Sequence, residues 1–172
     1  MDIGNQSVFN ELTEHFLCTA GLGVRFRARG HSMYPHIVDG DIIELQPISI
    51  PKIRPGDILL HRTPKKNGVV AHRCVKVVSE GPHLVFYTKG DTAYGKGLKV
   101  NAEDIRGIVV SIERNGKRIL FYTKSAQIKN RIIAFFSPQG AWIYPTLARI
   151  IYLPYSVKVF ISRRIRAFSS PQ

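Results

Sequence analysis

The sequence predicts a mainly β domain, a compact folded sheet or barrel, with a short helix ahead of it and a basic helical tail behind it. Three observations predict this. Between residues 24 and 123, the runs VRFRAR, DIIELQ, DILLHR, VVAHRCVKVV, HLVFYTK, IRGIVVSIER and RILFYT are short, rich in β-branched and aromatic residues, and punctuated by Gly, Pro and Asn. The last two are joined by Asn115-Gly116, the pair that a type I′ hairpin turn favours. From Ser125 the apolar residues of SAQIKNRIIAFF recur at helical spacing instead.

The elements divide the chain into residues 1–23, 24–124 and 125–172. In the first, Val8, Phe9, Leu12, Phe16 and Leu17 make one apolar face, with Asn5 or Ser7 as cap and Gly21 or Gly23 as stop, so an amphipathic helix is expected. Asp2, Glu11 and Glu14, with no basic segment before an apolar run, do not read as a signal peptide. In the last, Arg149 is the only charge between Ile132 and Val157, but Pro138, Pro145 and Pro154 break that stretch, whereas a membrane span needs ~20 unbroken apolar residues. Interfacial helices are expected, with Arg149, Lys158, Arg163, Arg164 and Arg166 at a polar margin facing an anionic leaflet; the alternative is that these helices cover the β domain.

Composition sets the frame for function. A chain of 172 residues with 44% hydrophobic content can bury a real core. Cys18 and Cys74 form no CxxC pair and no framework of bridges, which favours a reduced compartment and buried thiols. The net charge of +13 is one-sided: from Arg114 onward there are 11 Lys and Arg and no Asp or Glu, so all 12 acids lie before that point. Such a field attracts an anionic partner. The expected location is cytoplasmic, peripheral at most on the inner membrane face.

Three short motifs carry the chemistry. RGHSMYPHIVDGD places Ser32 between Gly30 and Pro35, which pin the backbone in a tight path and fix an exposed hydroxyl. VVAHRCVKV puts His72 inside a β-branched run, 40 residues after Ser32, and YTKGDTAYGKG puts Asp91 after a strand, 19 residues after His72. Singly, these are a loop serine, a strand histidine and a turn aspartate. Together they supply what acyl transfer needs: a hydroxyl, a base to deprotonate it and an acid to orient the base. Asp41 and Asp57, each after a glycine, are expected to brace turns.

The order of G-x-SM-x-P, GD, strand AHR and KGD resembles the signal peptidase I and LexA-like serine peptidase superfamily, from about Gly30 to Asp91 and more loosely to Tyr122. His72-Arg73, in place of a lysine base, makes it most similar to the endoplasmic-reticulum type. The resemblance implies a serine endopeptidase without cofactor or metal. In it Ser32 attacks the scissile carbonyl, His72 takes the proton and passes it to the leaving amine, and Asp91 orients the imidazole. It further implies that the Ser32 N–H is an oxyanion donor, that Met33 and Pro35 shape the loop and one cleft wall, and that a precursor peptide or protein binds extended beside the strands. The chain differs from the family in three ways. The 31 residues before Ser32 do not read as a membrane helix, His31 replaces a glycine, and Lys96-Gly97 stand where a second acid occurs, which leaves Asp91 as the sole orienter.

Other readings compete. His31 and His36 flank Ser32 but lack a third ligand at metal spacing. His61 is a rival base outside the motif, and Gly95-Lys96-Gly97 is a turn, too short for a phosphate loop. Self-cleavage of the LexA kind would use Ala20-Gly21, but that pair lies only 12 residues before Ser32, with no helix-turn-helix ahead of it. A non-enzymatic basic module is the other class; the tail's aromatics sit among aliphatics and prolines, not in the interleaved strand pattern that stacks bases, so an anionic membrane fits it better than nucleic acid.

Overall fold

The computed structural model of the chain describes residues 22–63 and 68–137. The expected N-terminal helix, the Ala20-Gly21 pair and the tail beyond residue 137 lie outside them. The described part is mainly β. Strands β1 (Val24–Arg27), β2 (Ile42–Gln46), β3 (Ile58–Thr63), β4 (Gly68–Glu80), β5 (His83–Lys89), β6 (Leu98–Asn101), β7 (Ile105–Arg114) and β8 (Lys117–Leu120) precede helix α1 (Lys124–Phe136).

The strands form one sheet in the order β1-β2-β7-β3-β4-β5-β6, every pairing antiparallel, curled into an open half-barrel. β7 is its spine. One edge of β7 pairs with β2, while the other pairs first with β3 and then, from Ser111 onward, with β8. The turn into β8 is the expected Asn-Gly hairpin: Asn115 and Gly116 both have positive φ, 52° and 72°, as a type I′ turn requires, and Arg114 pairs with Lys117.

Side chains alternate across a strand, so the sheet has a core on each face. In β3, Ile58 and Leu60 join a cluster with Met33, Ile37, Ile43, Leu45, Val109 and Ile112, while Leu59 joins one with Cys74, Phe86, Val100, Ile105 and Ile108. All seven predicted runs contain a strand. β6 was not foreseen: of Leu98, Lys99, Val100 and Asn101 only Val100 is buried, so the segment shows no apolar alternation.

Helix α1 starts from Thr123, whose Oγ1 accepts the Ala126 N–H at 3.2 Å. It buries Asn130, Ile133 and Ala134 and packs on β4, so the first part of the segment expected as tail belongs to the folded body. Among the described residues, no helix is long and apolar enough to cross a membrane.

Candidate active site

Ser32 begins a single tight turn between β1 and β2. Tyr34 N–H donates to His31 O at 3.2 Å and Ile37 N–H to Met33 O at 3.0 Å, which sets Met33 and Ile37 on one side. Both are buried in the first core cluster, and Pro35 is buried with them. The turn is closed at its base by Ala28 N–H to Asp41 O at 2.7 Å and by Gly30 N–H to Asp39 Oδ1 at 2.9 Å. Met33 and Pro35 therefore shape the loop from inside, leaving Ser32 exposed at its head. Asp41 braces this turn: its Oδ2 accepts the Val38 N–H at 2.8 Å, and its carboxylate holds Arg114. Asp57 does the same for its own turn through the Arg54 N–H at 2.8 Å.

The turn after β5 closes over Ser32. Thr92 N–H donates to Ser32 O at 3.0 Å, and Thr92 Oγ1 reaches the same oxygen at 3.2 Å. Between them lies Gly90. A Cβ built there would stand 2.8 Å from Ser32 O, 3.2 Å from Ser32 Cβ and 3.4 Å from His72 Nε2. Ser32 Cβ and His72 Nε2 are thus no farther apart than the sum of the last two distances, and only a residue without a side chain fits beside them.

His72 lies in β4 opposite Leu59 of β3, and its ring meets that of His61 edge-on with centroids 5.8 Å apart. Its Nδ1 is buried without a hydrogen-bond partner among the described residues. Burial, reinforced by His61 and opposed by the negative charge of Asp91, pushes its pKa down to about 4. The imidazole is therefore neutral at pH 7 and able to accept a proton.

Asp91 is held by other partners. Arg73 grips it with both sides of its fork, Nε to Oδ1 and Nη2 to Oδ2, each at 2.8 Å, and donates from Nη1 to Gly56 O at 3.0 Å. His36 Nδ1 lies 2.9 Å from Oδ2. Burial pushes the Asp91 pKa up, but the Arg73 charge and the hydrogen bonds from Arg73 and His36 outweigh it and hold it at about 2. The acid is ionised and only accepts, so His36 Nδ1 carries the proton in that bond. The structure thus brings Ser32 and His72 together with Asp91 one residue past Gly90, while the Asp91 carboxylate, expected to orient the His72 imidazole, hydrogen-bonds Arg73 and His36. Alternation explains the split: neighbours on β4, His72 and Arg73 leave the strand on opposite faces.

Sequence reasoning missed His36 as a partner of Asp91, and missed Arg73 as more than a motif residue. The signal for His36 was its position between Pro35 and Ile37, four residues after Ser32 in a turn whose inner side had to be buried. His61, the rival base, is a satisfied core residue. Its Nδ1 donates to Arg62 O at 2.8 Å, which leaves Nε2 to accept from Thr88 Oγ1 at 2.9 Å. Gly95-Lys96-Gly97 is a bend leading into β6. Among the described residues, no three His, Cys, Asp or Glu side chains gather as a metal site.

No protein-family model, no curated protein and no solved structure matches the chain.

Proposed function

We propose that the chain is a serine endopeptidase of signal-peptidase-like type that hydrolyses a precursor peptide or protein. The observation that carries this reading is the approach of Ser32 Cβ and His72 Nε2 to the same face of Gly90. His72 Nε2 takes the Ser32 proton as Oγ bonds to the scissile carbonyl carbon. The imidazolium then gives that proton to the departing amine, and water, deprotonated by the same nitrogen, releases the acyl group and restores the serine. The Ser32 N–H makes no hydrogen bond among the described residues and is the first oxyanion donor. Asp91 acts on the imidazolium through its charge, clamped in place by Arg73 and His36. An extended substrate is accommodated by the open sheet, whose strand order ends at β1 and β6 and which has β8 as a further edge strand.

The test is a fluorophosphonate probe followed by peptide mapping. Wild-type chain should carry the adduct at Ser32, while Ser32→Ala and His72→Ala should carry none. Wild type, and not Ser32→Ala, should create new N-termini in a host-cell peptide digest. Identical termini from both chains remove the peptidase reading.

A further inference from the structure

Helix α1 carries two neighbouring surfaces that peptidase chemistry does not use. On one, Ile128, Ile132, Phe135 and Phe136 are 59%, 53%, 64% and 56% exposed, at a spacing that lines them up on the side away from buried Ile133 and Ala134. The rings of Phe135 and Phe136 pack edge to face, with centroids 5.2 Å apart. A short helix that buries three residues on its inner face and leaves four large apolar side chains uncovered by the described residues on the outer one presents a surface suited to an apolar phase.

On the other surface, one turn round the helix, Asn130 and Arg131 line a polar pocket together with Lys52, Arg54, Asp57 and Tyr122. Gly56 makes the pocket possible: a Cβ there would stand 2.9 Å from both Arg131 N and Asn130 C, so the helix rests directly on the loop backbone. The lining holds three cations against one carboxylate. Asp57 is already engaged by the Arg54 N–H, and Arg54 Nη1 is pinned to Pro51 O and Ile53 O at 2.6 and 3.0 Å. Lys52 and Arg131 make no side-chain hydrogen bond among the described residues. Neither does Asn130, although it is only 6% exposed. A nearly buried carboxamide without a hydrogen-bond partner among the described residues, beside the Lys52 and Arg131 cations, is chemistry suited to an oxyanion of phosphate type.

We infer that α1 and the loop before β3 dock on an anionic phospholipid leaflet, with the apolar stripe entering the headgroup–acyl boundary and the pocket taking a lipid phosphate. Charge supports a membrane over a neutral apolar partner, since from Arg114 onward the sequence has 11 Lys and Arg and no acid. The exposed aliphatics and phenylalanines favour lipid over nucleic acid. At 13 residues α1 lies on such a surface and does not span it. The inference is independent of the Ser32 chemistry.

The test is co-sedimentation of the full chain with vesicles of phosphatidylglycerol and phosphatidylcholine, against phosphatidylcholine alone. Wild type and Ser32→Ala should bind the anionic vesicles equally and the neutral ones weakly. Ile132→Ser with Phe135→Ser, and separately Lys52→Glu with Arg131→Glu, should each lower binding about tenfold or more, at thermal midpoints within a few degrees of wild type. Undiminished binding in either pair overturns the inference. So does a thermal shift with inorganic phosphate without vesicle binding, which would mark a site for soluble phosphates. Duplex DNA binding lost in the same variants, without vesicle binding, overturns it as well.

Discussion

Arg73 and Asp91 form a bidentate pair at 2.8 Å with the arginine fully buried, and this pair links β4 to the turn that closes over Ser32. Removing one member of a buried pair leaves the other charge unpaired, at a cost of about 3–5 kcal/mol. Arg73→Met should therefore lower the unfolding free energy obtained from urea titration by about that much. The pH dependence follows from the same contact. Asp91 titrates at about 2 in the fold against an ordinary 3.8, so its contribution is complete above 3.8 and is lost as the pH falls through 2. Wild-type stability should drop across that window, and Arg73→Met should show a smaller drop; equal slopes in both chains would refute the assignment.

Gly90→Ala tests the geometry of the proposed dyad. The new methyl would press on the Ser32 carbonyl at 2.8 Å, a backbone atom, and so displace the serine and not a flexible side chain. Because misplacement by ~1 Å costs on the order of 100-fold in rate, probe labelling at Ser32 should slow by about that factor. Labelling at the wild-type rate by a folded Gly90→Ala chain would show that Ser32 reacts without His72.

The rate of probe labelling should report the buried imidazole. His72 acts as a base only when unprotonated, so labelling should rise through pH 4 and be level by pH 6.5, the ordinary histidine value. His61→Leu removes one cause of the depression and should move the inflection upward. A wild-type inflection at 6.5 would count against the buried His72 as the base of the proposed dyad.

Thr88→Val separates the second histidine from catalysis. Thr88 is fully buried, and its hydroxyl is the donor to His61 Nε2, so the near-isosteric change strands a buried nitrogen at about 1–3 kcal/mol. The urea midpoint should fall while the rate constant for Ser32 labelling stays within about twofold, as expected if His61 is structural.

The strands were legible because the seven runs are short, rich in β-branched and aromatic residues and bounded by turn residues, with both faces buried in the central β3 and β7, and the hairpin because Asn115-Gly116 has one favoured geometry. Leu98–Asn101 was not, since an edge strand that buries one side chain leaves no periodic trace. In the site, the approach of Ser32 and His72 could be anticipated from motif order, but the partners of Asp91 could not. Which side chain reaches a carboxylate depends on the face from which it leaves its strand, and the 18 positions between Arg73 and Asp91 do not encode that. His36 was obscured for a related reason. Next to an exposed serine it resembles a surface residue, until burial of Met33 and Ile37 turns its side of the loop inward.

Cys74 gives the sheet a built-in reporter. Its sulfur is fully enclosed, its thiol is pushed up to about 12 by burial, and the sulfur approaches the Lys76 carbonyl at 3.6 Å. A neutral-pH alkylating agent meets neither thiolate nor surface there, so modification of this position proceeds only when β4 and β5 part. The alkylation rate of the Cys74 peptide is accordingly a direct count of how often the domain breathes.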